Sequence, residues 1–141
     1  MKAEDVIGAW TLIDWRIVYP DGTITHPFGN SATGYIVYAA NGVMTASICA
    51  NPRGRFNKCN ARDASAEQKS AAFDSYFHYA GAWRIEDDGV VHEVTMALNP
   101  DMTGTQQRRH AARDGDMLTL STKEFATSGV VRHHILRWRR H

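Results

Sequence analysis

The sequence predicts an all-β fold, an eight-stranded antiparallel up-and-down β-barrel with one short helix inserted between strands 3 and 4. Three observations predict it. Eight short runs rich in β-branched and aromatic residues follow one another along the chain. The pairs Asn41-Gly42, Asp88-Gly89 and Asp114-Gly115 stand between alternate runs, where tight hairpins need them. At 141 residues the chain makes one domain, 1–141, and a sheet of this many strands sheds its exposed edges by closing on itself.

The expected strands occupy residues 10–19, 34–39, 43–50, 78–86, 90–98, 105–113, 117–122 and 130–139. Each is a run that alternates or sustains apolar character between Gly, Pro, Asn or Asp punctuation. The helix is expected over 65–76, where Ala, Glu, Gln and Lys favour helix and Ser65 with Gln68 can form a capping box. The three Gly turns fall at one end of a meander. The longer connections, 20–33, 51–77, 99–104 and 123–129, fall at the other. That describes a cup with a tight floor and a mouth framed by loops. Eight strands enclose an interior that side chains fill or that holds one small ligand.

Alternation assigns the faces. Phe77, Tyr79, Gly81, Trp83 and Ile85 share the inward phase of the fourth strand. Val90, His92, Val94, Met96 and Leu98 share that of the fifth, which makes His92 a polar group on an apolar stripe. Leu118 and Leu120 point inward from the seventh, and His134, Leu136 and Trp138 form one phase of the eighth. The sixth strand is undecided, because Gln106, Arg108 and His110 oppose Gln107, Arg109 and Ala111 and neither set is apolar.

Composition narrows the function. With 16 Lys+Arg against 15 Asp+Glu and a net charge of +1, no global field gathers nucleic acid or coats a membrane. The acidic start Met-Lys-Ala-Glu-Asp does not resemble a secretory leader and no apolar run spans a bilayer, so a cytoplasmic protein is expected. Cys49 and Cys59 are too few for a disulfide framework and read as free thiols. Seven histidines show no ligand spacing beside a carboxylate, so no metal is expected. No Gly-x-Ser-x-Gly elbow and no phosphate-binding glycine loop is present, and no cofactor is expected.

The residues also carry a resemblance. Gly8-Ala9-Trp10 opens the first strand, followed in order by Asp21-Gly22-Thr23, His26-Pro27-Phe28-Gly29, Ala32-Thr33-Gly34-Tyr35-Ile36-Val37-Tyr38, Asn41-Gly42-Val43-Met44, Tyr79-Ala80-Gly81, Val91-His92, Gly104-Thr105 with Gln107 and Arg109, and Asp114-Gly115-Asp116-Met117-Leu118-Thr119-Leu120. As an ordered set these resemble the bacterial and fungal lipocalin-like domain family. The resemblance implies a calycin-type barrel with a central cavity and no single shared activity. It also implies an arginine of the last strand, Arg137 or Arg139, over the Trp10 indole. Placing Trp10 inside carries Leu12, Asp14, Arg16 and Val18 with it, although Ile13, Trp15, Ile17 and Tyr19 are the more apolar phase. Three explanations stand: a bulge switches the phase, Asp14 and Arg16 pair inside, or Trp10 is not the family's tryptophan.

The candidate residues follow from their chemistry. His92 on an inner wall is a general acid/base or ligand-orienting group, or else a core histidine bonded to a neighbour. Arg109 offers a planar fork to a carboxylate or enolate oxygen, or else makes an ion pair on the surface or seam. Tyr79 and Tyr35 supply phenolic donors on apolar bodies, Phe28 can lid the mouth, and Trp83, Met96, His134 and Trp138 shape the walls. The expected function is binding of a small, mostly apolar, oxygenated molecule in the cup. The alternative is a cofactor-independent isomerase, cyclase, dehydratase or lyase with His92 as acid/base and Arg109 and Tyr79 as oxyanion stabilisers. The partner is a small-molecule ligand or substrate, with no nucleic acid and no membrane; a homodimer is compatible with the composition.

Overall fold

The computed structural model describes residues 1–141. After a one-turn helix α1 (Ala3–Val6), the chain forms β1 (Gly8–Val18), a two-residue β2 (Ile24–Thr25), β3 (Thr33–Tyr38), β4 (Val43–Cys49), α2 (Ala66–Asp74), β5 (Tyr76–Glu86), β6 (Gly89–Ala97), β7 (Gln106–Asp114), β8 (Met117–Phe125) and β9 (Val131–Arg140). All neighbours pair antiparallel, and β1 closes the barrel by pairing with β9 from Trp10↔Arg140 to Val18↔His133. The small β2 lies beside the end of β1 and outside the eight barrel strands. Helix α2 is the expected insert, capped by Ser65 accepting from the Gln68 N–H while the Gln68 amide accepts from Ser65. Helix α1 was not expected from the sequence.

The ends of the barrel differ as the turn chemistry requires. The β3–β4, β5–β6 and β7–β8 connections are tight and lie with α1 at the floor; the long loops lie at the mouth. The β5–β6 turn is one residue earlier than its Asp88-Gly89 pair suggests. Asp87 takes the left-handed conformation at φ 52°, and Gly89 begins β6. Gly89 is needed there for another reason: a Cβ on it would stand 2.2 Å from the Arg109 carbonyl oxygen of β7.

Two bulges decide which side chains face inward. In β1 the register slips between Leu12 and Asp14, so Trp10 and Leu12 face in, and after the slip Trp15 and Ile17 do. This resolves the conflict in the first strand: Asp14 is freed to the outer face, where it pairs with Arg137. Between β5 and β6, Gly81 pairs with Val94 but Ala80 with Met96, leaving Thr95 as the extra residue. Val90, His92 and Val94 are buried as alternation predicts, whereas Met96 is turned out, 58% exposed, and Ala97 takes the inner phase.

The floor is the densest part of the core. Trp10 is fully buried and its indole N–H donates to the Val6 carbonyl at 2.8 Å. The arginine over it is Arg140, neither Arg137 nor Arg139, with its guanidinium carbon 4.1 Å from the ring centroid and a further bond to the Ile7 carbonyl. Tyr38 and Trp83 meet edge to face above this layer, their centroids 5.2 Å apart. No helix is long and apolar enough to cross a membrane.

Candidate functional site

Above the floor the barrel is not filled. A cavity of about 510 Å³ opens toward the mouth, within the usual range for small-molecule sites. Its walls are largely apolar: Ile36, Ile48, Phe77, Leu120, Leu136 and Trp138 come from five different strands. Met102, in the loop between β6 and β7, borders it from the rim, in the role expected of Met96.

A chain of three polar side chains from β3, β5 and β6 runs from behind this wall into it. The Tyr38 hydroxyl lies 2.8 Å from His92 Nε2, and the Tyr79 hydroxyl lies 2.6 Å from His92 Nδ1. Alternation explains the convergence: Tyr38 shares the inner phase with Ile36, Tyr79 with Trp83, and His92 with Val90 and Val94. Burial, reinforced by the Arg109 charge, lowers the His92 pKa to about 3, so the imidazole is neutral at physiological pH. Burial also raises both phenols, with Arg109 partly offsetting the rise. Both ring nitrogens of His92 are therefore engaged by tyrosines, which places it as a bonded core histidine rather than one with a lone pair open to a substrate.

Arg109 settles the phase of the sixth barrel strand. Ala111 is buried, Gln107 and Arg109 border the cavity, and Arg108 points out to Glu86 in a surface network with Arg84 and Glu93. Arg109 has no carboxylate partner, and neither alternative ion pair forms. It donates to the Arg108 carbonyl at 3.0 Å and to Gln107 Oε1 at 3.5 Å. The β7–β8 ladder runs only from Asp114↔Met117 to His110↔Ser121, so the wall parts above it. Arg109, Thr122 and Lys123 border both the inner cavity and a cleft on the outer wall at this seam.

The remaining candidates divide. His134 lines the cavity; its Nδ1 accepts from the Trp15 indole at 3.1 Å and its Nε2 lies 2.7 Å from Glu124, so its ring is also fully engaged. Trp138 lines the wall, and its buried indole N–H has no acceptor. Phe28 packs edge to face on Trp15, with centroids 5.1 Å apart, as a brace behind the wall. Trp83 lies below the cavity, its indole donating to the Ala39 carbonyl. Tyr35 lies away from the cavity: it is 55% exposed on the outer face of β3 and packs on His141. Its partner in the alternation, Tyr38, is the one inside, and the signal was present in the Gly34-Ile36-Tyr38 phase. Trp15 and Gln107 were not singled out, because their phases depend on a bulge and on a strand with no apolar side; Phe77 was placed on the inward phase but, like Ile36, carries no polar group to mark it as a contact.

The lipocalin-like domain model matches residues 7–141. A similar protein is the 4'-hydroxy-3'-methoxypropiophenone carrier protein of Aspergillus oryzae, 32% identical over 83 residues that cover 52% of this chain and 75% of the relative. No solved structure matches the chain. A family match across nearly the whole chain, on a closed eight-stranded barrel with an open inner cavity, makes this protein a member of the lipocalin-like domain family.

Proposed function

We propose that the barrel binds and carries a small, mostly apolar, oxygenated molecule, with Tyr79 and Arg109 as its polar contacts and His92 behind Tyr79. The observation that carries this reading is a cavity of about 510 Å³ whose apolar walls hold one cluster of polar groups, including a cation with no carboxylate partner. Apolar area supplies the affinity and the polar cluster fixes orientation. The similarity to a protein named as the carrier of an aryl ketone supports the same reading, and makes 4'-hydroxy-3'-methoxypropiophenone the first probe. The free thiols Cys49 and Cys59 fit a reducing cytoplasm.

Carriage fits these groups better than catalysis. An isomerase, cyclase, dehydratase or lyase would use Arg109 and Tyr79 to steady an oxyanion, and these two do border one space. It would also need a base free to take a proton: His92 and His134 spend both ring nitrogens on neighbours, and the Glu124 carboxylate, tied to His134 and Arg132, is made a weaker base by those bonds. Trp15 and Trp138 line the cavity, so titration of tryptophan fluorescence with the probe, followed by recovery of the probe, tests the reading. Saturable quenching with the probe recovered unchanged is the expected result. Absence of saturation overturns carriage of this class, and recovery of an altered molecule replaces carriage by catalysis.

A further inference from the structure

Tyr38 is 1% exposed, does not border the cavity, and bonds through its hydroxyl to His92 alone. That isolation orders the protons of all three residues. A neutral imidazole has one N–H and one bare nitrogen, so two arrangements are available. If Nε2 carries the hydrogen, it donates to Tyr38, and the Tyr38 proton is left buried without an acceptor. If Nδ1 carries it, Tyr38 donates to Nε2, His92 donates from Nδ1 to the Tyr79 oxygen, and every buried group is satisfied. The second arrangement leaves one hydrogen over. It is the hydroxyl proton of Tyr79, the member of the chain that borders the cavity.

The other polar groups on that wall have the same sense. Arg109 is a donor only. The Trp138 indole N–H is buried without an acceptor. The acceptors nearby already hold donors: Gln107 Oε1 takes Arg109, His134 Nδ1 takes the Trp15 indole, and the Glu124 carboxylate takes His134 and Arg132. The polar end of the cavity thus offers hydrogens and asks for lone pairs.

We propose that the cavity selects carbonyl compounds, holding the carbonyl oxygen between the Tyr79 hydroxyl and the Arg109 guanidinium, and that His92 is the positioning residue that turns the Tyr79 proton toward the ligand. This deepens the carrier reading and rests on it. An alcohol of the same shape also presents an oxygen to the two donors, but its own proton then finds no acceptor among Tyr79, Arg109 and Trp138. A ketone has no such proton.

Two measurements on the intact chain test this. The first is the tautomer of His92, read from long-range nitrogen–proton correlations of labelled protein with the His92 signal identified by its loss in His92→Gln. A hydrogen on Nδ1 is expected; a hydrogen on Nε2 overturns the ordering. The second compares propiophenone with the benzylic alcohol made by reducing it, two probes with a single oxygen each. Wild-type protein is expected to hold the ketone about tenfold more tightly, and Tyr79→Phe to bring the two within about twofold of each other. Equal binding of both probes overturns the carbonyl selection and leaves the carrier reading standing. Binding of neither overturns the carrier reading and the selection together.

Discussion

The Arg140 guanidinium stands 4.1 Å from the centre of the Trp10 ring, so the last strand of the barrel covers the first large side chain of the first strand. The pair sits at the floor, where the β1–β9 ladder begins and α1 closes the end. Removing the Trp10 indole empties a fully buried site, and Trp10→Ala is expected to cost about 3 to 5 kcal/mol. Arg140→Ala removes the nearer of two cations over the ring, Arg113 standing 5.8 Å from the centroid, and a bond to the Ile7 carbonyl, at about 1 to 2 kcal/mol. Urea denaturation of both variants checks the order; an Arg139→Ala control is expected to match wild type within about 0.5 kcal/mol.

The neutral, buried His92 gives stability a definite pH dependence. Its folded value of about 3 lies below the ordinary 6.5, so the unfolded chain takes up the proton first. Its contribution is fully present above pH 6.5 and declines as the pH falls from there toward 3, by up to about 1.4 kcal/mol per pH unit. Denaturation at pH 7.5 and 5.0 is expected to show a larger loss in wild type than in His92→Gln, which has no imidazole to protonate. Parallel losses in the two proteins would contradict a buried neutral histidine.

Much of the barrel is legible in the sequence because turns and alternation are local. Asn41-Gly42 and Asp114-Gly115 mark real hairpins, and the stripe Val90, His92, Val94 is inside as its period of two requires. Alternation is silent about insertions, and the errors lie at insertions. One extra residue near Ile13 puts Trp15 inside and Asp14 outside; one at Thr95 turns Met96 to solvent. Tyr35 and Tyr38 stand on opposite phases of β3; the phase of Gly34, Ile36 and Tyr38 already favours Tyr38, and pairing with β4 and β1 fixes it inside. Arg109 resisted assignment for a nonlocal reason: the seam beside β7 relaxes the need for an apolar inner face.

The bulge at Thr95 depends on a glycine. A Cβ at Gly81 would lie 1.8 Å from the Glu93 carbonyl oxygen, so backbone must move to admit it. Gly81→Ala is expected to cost at least about 2 kcal/mol in thermal or chemical denaturation. Gly54, with nothing within 4 Å of the added carbon, is expected to accept alanine within about 0.5 kcal/mol. Equal effects would show that β5 and β6 do not approach as described.

Arg109 is expected to separate stability from binding. It borders the cavity without a carboxylate partner, and Arg109→Met removes an uncompensated charge while keeping the length of the stem. The variant is expected to unfold at the same temperature as wild type or higher, and to bind propiophenone at least about tenfold more weakly. Tyr35→Phe, on the outer face, is expected to change neither quantity. Normal binding by Arg109→Met would remove it from the site.

The most direct measurement is native mass spectrometry of the protein with 4'-hydroxy-3'-methoxypropiophenone, comparing wild type with Ala46→Phe, which drives a ring into the cavity from the buried wall of β4. Circular dichroism establishes that the variant keeps its strands. Binding inside the barrel predicts one adduct per wild-type chain, released with its mass unchanged, and none on the folded variant. No adduct on wild type, or the same adduct on both proteins, would contradict a ligand held in the barrel.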